Sequence, residues 1–148
     1  MERLSFPAKG SFGLHSQESY VQTGQTSLKI KQWRGGTKVE ESGGLPPVLE
    51  LRGHSYMVTT VFVKYNYRQK QTGGNDLVNI TVACLPNGLL QNTYNPDAED
   101  TIWLVGRNAP SRGEVFRVRI SFPRLKEKAN WRVQRIQMLP APHFLWGD

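Results

Sequence analysis

Hydrophobic positions along the chain recur every second residue rather than every third or fourth. In Thr26 to Trp33, Leu28 and Ile30 fall on one side and Ser27, Lys29 and Lys31 on the other. In Glu114 to Phe122, Phe116, Val118, Ile120 and Phe122 alternate with Arg117, Arg119 and Ser121. Successive side chains of a strand point to opposite faces, so both segments predict half-buried strands. Trp131 to Leu139 predicts a third. His54 to Tyr67 carries two apolar rows: Tyr56, Val58, Thr60 and Phe62 against Met57, Thr59, Val61, Val63, Tyr65 and Tyr67. Two such rows predict a central strand covered on both faces near its start. Leu77 to Leu85 is similar, and its β-branched content favours strand over helix. Shorter candidates are Gly10 to His15, Tyr20 to Gln22, Val48 to Arg52 and Thr101 to Val105.

Turn signals separate these runs: Gly35-Gly36, Gly43-Gly44, Gly73-Gly74-Asn75-Asp76 and Pro86-Asn87-Gly88. Pro123 and Pro140 follow strands, where a missing N–H is harmless. Only Pro96 to Asp100 and Arg124 to Lys128 offer helical turns, both short. The pattern predicts an all-β fold, an antiparallel sandwich of about eight to ten strands.

The order of segments resembles the galactose-binding-like β-jelly-roll family, which includes carbohydrate-binding modules. Tyr20 to Ile30 is similar to its early strand, Gly turn and "S-L-x-I" strand. Leu51 to Lys64 resembles its "G-x-x-Y" strand ending in an exposed lysine. Thr101 to Trp103 and Glu114 to Phe122 resemble its later strands, and Trp131 to Leu139 sits where the closing strand belongs. The resemblance implies a β-sandwich jelly roll over 10–140, with an N-terminal arm, 1–9, and a C-terminal tail, 141–148. It also implies a non-catalytic module, of the kind found on glycan-active proteins and in virus tail and capsid accessory proteins. Many family members hold a structural calcium through an acid on the last strand. Here Arg132, Gln134 and Arg135 stand in that strand, and calcium is not expected.

Composition narrows the classes. The 148 residues suit one domain. A single cysteine, Cys84, excludes an internal disulfide and a cysteine metal cage, and His15, His54 and His143 make no metal motif. No run approaches the ~18 apolar residues of a membrane span. Met1 to Gly10 lacks the apolar core of a signal peptide. The net charge is +7, from 19 Lys and Arg against 12 Asp and Glu. Lys29, Lys31 and Arg34, Arg117 and Arg119, and Arg132 and Arg135 could form basic stripes for single-stranded nucleic acid. They are spread over the whole chain without an RNA-binding signature, which reads better as a solvated face.

No catalytic constellation emerges. Glu40/Glu41 and Asp97/Glu99/Asp100 are neighbours on polar loops, not carboxyls facing each other across a substrate. Cys84 sits in an apolar strand, as an inert small hydrophobe does. Neither a cofactor nor a metal is expected, and the chain reads as a non-enzyme. Glycan stacking has candidates in Trp33, Tyr65, Tyr67 and Trp103, with Asn66 and Arg68 as polar neighbours. Assembly contacts have candidates in Leu4 and Phe6 of the arm and Phe144, Leu145 and Trp146 of the tail, because large apolar side chains at chain ends often dock. The expectation is a structural module of a virus particle, such as a capsid decoration or tail component at the virion surface. Its partners are other protein subunits; a carbohydrate-binding module is the alternative. Nucleic acid is not the expected partner, and a basic nucleic-acid-binding β-domain is the third reading.

Overall fold

The computed structural model describes residues 18–106 and 118–138, and the backbone of 143–145. Eleven strands appear there: β1 Tyr20–Gln22, β2 Ile30–Arg34, β3 Thr37–Glu41, β4 Val48–Leu51, β5 His54–Met57, β6 Thr60–Gln69, β7 Asn75–Leu85, β8 Trp103–Val105, β9 Val118–Ser121, β10 Val133–Gln137 and β11 His143–Leu145. Two short helices join them, α1 Gln91–Tyr94 and α2 Phe122–Lys128, with 3₁₀ turns at Gly88–Leu90 and Asn130–Arg132. The antiparallel, mostly-β character agrees with the two-residue period.

The pairing, however, does not make the two opposed sheets of a jelly roll. The strands form a three-stranded sheet, β1-β9-β8, a four-stranded sheet, β11-β10-β7-β6, and two separate hairpins, β2-β3 and β4-β5. The expected jelly roll is therefore corrected at the level of strand order. The predicted long strand from His54 is two strands with different partners. β5 pairs β4, and β6 pairs β7. The break falls at Val58, where the Asn87 side-chain amide donates to the carbonyls of Pro47 at 2.7 Å and Val58 at 2.5 Å.

Local chemistry explains the elements. Gly35 and Gly36 both have positive φ, 56° and 79°, as a two-residue hairpin turn requires. This turn sends Thr37 to Glu41 back along β2. In β2 and its approach, Thr26, Leu28, Ile30 and Gln32 are buried in alternation. Helix α2 starts with Ser121 accepting from the Arg124 N–H and with Pro123 in its first turn. Lys126 and Lys128 in its last turn suit the helix dipole.

One core joins the two larger sheets. Val118 and Ile120 of β9 meet Leu28, Ile30, Ala83, Leu85, Ile102, Trp103, Leu125 and Val133. Each fully buried aliphatic side chain here contributes about 1.5–3 kcal/mol.

Candidate nucleic-acid interface

The described acids are mostly neutralised by neighbours. Glu40 accepts from Lys29 at 2.9 Å with Lys31 at 3.8 Å, and Arg34 meets Glu41 at 2.7 Å. Lys38 meets Glu99 at 2.5 Å, Lys70 meets Asp76 at 2.7 Å, and Lys128 meets Asp100 at 2.6 Å. Glu18, almost fully buried, is bound by Asn79 at 3.3 Å and lies 3.6 Å from Arg135. The hydrogen bond from Lys29 holds the Glu40 carboxyl below its usual range. The N–H groups of Asp100 and then Glu99 do the same for Asp97.

These pairs consume most of the Lys29-Lys31-Arg34 stripe. Two further arginines are internal supports. Arg124 donates to the carbonyls of Thr101 at 3.2 Å and Trp103 at 3.0 Å. Arg132 is buried at 7% exposure, donates to the Tyr94 hydroxyl at 2.9 Å, and lies over the rings of Tyr94 and Trp131.

The cations with no carboxylate within ion-pair distance among the described residues include Arg52, Arg68, Arg119 and Lys126. Arg119 alternates outward between the buried Val118 and Ile120. Its Nε donates to the Val105 carbonyl at 2.8 Å, and its guanidinium lies 4.7 Å from the centre of the Tyr20 ring. The Lys64 ammonium approaches the same ring at 5.3 Å and donates to the Tyr20 carbonyl at 2.7 Å. Tyr20 thus gathers two cations where the three- and four-stranded sheets meet.

Arg52 stands in the β4–β5 turn with φ of 50°, the one described non-glycine residue in the left-handed region. A side chain there costs about 1–2 kcal/mol relative to glycine. The hairpin exposes Leu49, Leu51, Tyr56 and Met57 beside it.

The glycan candidates do not form a platform. Trp103 is a core residue at 1% exposure. Asn66 is 2% exposed and donates inward to Asn79 at 2.7 Å and Thr81 at 3.2 Å. Alternation and a bulge at Asn66/Tyr67 leave Tyr65 exposed, Tyr67 half-buried and Arg68 exposed. Trp33 is exposed on another sheet, under the Lys38 ammonium at 5.1 Å. Leu4, Phe6 and Trp146 lie outside the described residues. Phe144 and Leu145 fall in β11, whose backbone pairs with β10 opposite Ile136 and Arg135.

A metal ion that assists catalysis needs clustered ligands, commonly carboxylates, around it. Among the described residues no group of three or more His, Cys, Asp or Glu could hold a metal ion. The described residues do not fit such a centre.

A model of the family described as Type II restriction enzyme SfiI matches residues 11–136. The chain belongs to that family. Type II restriction enzyme SfiI of Streptomyces fimbriatus is 40% identical over 116 residues, which cover 73% of this chain and 43% of that protein. The crystal structure of tetrameric restriction endonuclease SfiI bound to cognate DNA is similar with a TM-score of 0.71 and 29% identity, over 82% of this chain and 49% of that one. The restriction endonuclease BglI bound to its DNA recognition sequence is similar in fold, with a TM-score of 0.65 and 21% identity, over 90% and 50%. The chain spans about half the length of the relatives it matches.

Membership overturns several expectations. The galactose-binding-like resemblance gives way to the restriction-endonuclease family, matched over most of the chain. The virion role, with its capsid and tail partners and particle-surface location, falls with it, as does the carbohydrate-binding alternative. The non-enzyme reading is corrected, because the family is one of enzymes. So is the exclusion of nucleic acid, since both solved relatives are bound to DNA.

Proposed function

We propose that this chain is the DNA-contacting portion of a type II restriction endonuclease acting on duplex DNA. The family match over residues 11–136 carries the reading. The charge distribution supports it. With most of the described acids paired, the described cations that keep an unpaired positive charge include Arg52, Arg68, Arg119 and Lys126, and phosphate contacts to such cations release counterions from the DNA. Phosphate contacts position a protein on the duplex, and base edges are read by side chains brought close to the groove. The strained Arg52 at a projecting hairpin tip suits such a contact, since local strain is retained where function needs it.

The direct test is fluorescence anisotropy of a labelled duplex carrying the SfiI cognate site, titrated with the 148-residue chain. Up to four phosphate contacts predict a slope of log K against log salt of about −3.6, or roughly a hundredfold weakening between 50 and 200 mM salt. Absence of binding at 50 mM salt and micromolar protein, or a salt-independent affinity, refutes the proposal.

A further inference from the structure

Tyr20, Lys64 and Arg119 come together where the two larger sheets meet. β1 is an edge strand of the three-stranded sheet and β6 an edge strand of the four-stranded one. Register places Arg119 opposite Gln22 and diagonal to Tyr20, so the arginine and the ring share the outer face of β1-β9-β8. Val118 and Ile120 on either side of it are buried in the core. Two contacts fix the guanidinium. Its Nε donates to the Val105 carbonyl at 2.8 Å, and its central carbon lies 4.7 Å from the centre of the Tyr20 ring. Lys64 is held in the same two ways, by the Tyr20 carbonyl at 2.7 Å and by the ring at 5.3 Å. All three residues are half-buried.

A carbonyl or a ring face attracts a cation without neutralising it, and two like charges drawn to one ring repel each other. An anion placed between them relieves that repulsion. No described carboxylate lies within ion-pair distance of Arg119. With Nε turned to Val105, the two terminal nitrogens of Arg119 have no hydrogen-bond partner among the described residues. They present parallel N–H groups, the edge of the fork that takes two oxygens of one phosphate. The geometry points to a preformed seat for one phosphodiester of the duplex backbone. In it the Arg119 fork and the Lys64 ammonium face the phosphate oxygens, and Tyr20 is the positioning residue that holds both cations. Cations ordered in advance lose less freedom when the phosphate arrives, which favours binding. The inference rests on the proposed function for the duplex, while the anion seat itself is tested separately.

Two probes test it, the labelled duplex and inorganic phosphate. Arg119→Gln should weaken duplex binding about tenfold and make the salt slope shallower by about 0.9, the share of one phosphate. Tyr20→Ala keeps both charges, so the slope should hold while affinity falls roughly fivefold; Tyr20→Phe, which retains the ring, should bind within about twofold of the parent. In a series of duplexes with one neutral methylphosphonate each, one position should weaken the parent and not Arg119→Gln. Inorganic phosphate at about 50 mM, against chloride of equal ionic strength, should raise the melting temperature of the parent by about 2–4 °C and that of Arg119→Gln by less than about 1 °C. Arg119→Gln without phosphate should melt within about 3 °C of the parent, as an outward side chain does. If Tyr20→Ala fails to fold, Arg119→Gln and the methylphosphonate series decide. Duplex binding by Arg119→Gln equal to that of the parent in affinity and slope overturns the seat and leaves the DNA reading standing. A phosphate shift specific to the parent, with no responsive methylphosphonate position, assigns the seat to free phosphate and overturns the backbone contact. A chain that binds no duplex refutes the DNA reading and the backbone contact together, and equal phosphate shifts in the parent and Arg119→Gln then overturn the anion seat as well.

Discussion

Arg132 offers a direct measure of how this fold uses its arginines. Its guanidinium is desolvated at 7% exposure, yet no carboxylate is paired with it among the described residues. It is held by the Tyr94 hydroxyl at 2.9 Å, the Cys84 carbonyl at 3.3 Å and two rings centred 4.7 and 4.3 Å away. Arg132→Met keeps much of the apolar stem and removes the charge. Hydrogen bonds to a charged group contribute about 1.5–3 kcal/mol each, and each cation–π contact about 0.5–2 kcal/mol. Against these stands the several-kcal/mol cost of burying the charge, which the methionine no longer bears. The unpaired Tyr94 hydroxyl adds a penalty of about 1–3 kcal/mol. The balance is a destabilisation of about 2–3 kcal/mol, or roughly 10 °C in melting temperature for a chain of this size. Urea unfolding of both proteins, with unchanged m, reads it directly. The salt slope of DNA binding should be unaltered, because this cation faces the core. A variant as stable as the parent, or one with a shallower salt slope, would refute the account of Arg132 as an internal support.

Three further outcomes are expected. Arg52→Asn suits the left-handed turn better and removes a cation, so it should raise stability by about 0.5–1 kcal/mol while reducing the DNA salt slope by about 0.9; a loss of stability with unchanged DNA binding would contradict both halves. Gln32 is buried with neither side-chain amide atom hydrogen-bonded, whereas the Asn66 amide is bound to Asn79 and Thr81. Gln32→Leu should therefore stabilise by about 1 kcal/mol and Asn66→Leu should destabilise by about 1–3 kcal/mol, and equal effects in chemical denaturation would show that burial alone decides. The Asp97 carboxyl is held below its ordinary value of 3.8 by the N–H groups of Asp100 and Glu99, so its contribution is full above that value and is lost as pH falls through the lower folded value. Thermal melts below pH 4 should thus fall more steeply in the parent than in Asp97→Asn, and parallel curves would remove Asp97 from the acid response.

Much of the secondary structure was legible because burial on one face imposes a period of two. Leu28, Ile30, Val118 and Ile120 are all fully buried, as their alternation predicts. Gly35-Gly36 makes the expected turn, and Arg124 to Lys128 lies in the expected helix. Topology was not legible, because pairing depends on contacts distant in sequence. Nothing local to His54 to Tyr67 announces that Asn87 grips the backbone at Val58 and divides the run between two sheets. Alternation also says which residues share a face, not which face is covered. Asn66 and Tyr65 are adjacent, yet one is sealed in a polar network and the other stands in the open.

The DNA reading was obscured for a related reason. A count of charges treats every lysine and arginine alike, and a net +7 spread along the chain resembles an ordinary solvated surface. Only the folded pairing separates the cations into kinds. Lys38 is neutralised by Glu99 and Lys128 by Asp100, partners far away in sequence, while Arg124 and Arg132 are turned inward on carbonyls and rings. Among the described residues, the cations left without a carboxylate partner include Arg52, Arg68, Arg119 and Lys126. The same separation accounts for the missing chemistry. The described acids that could have suggested catalysis stand mainly in those ion pairs and turns, and among the described residues no group of them could hold a metal ion.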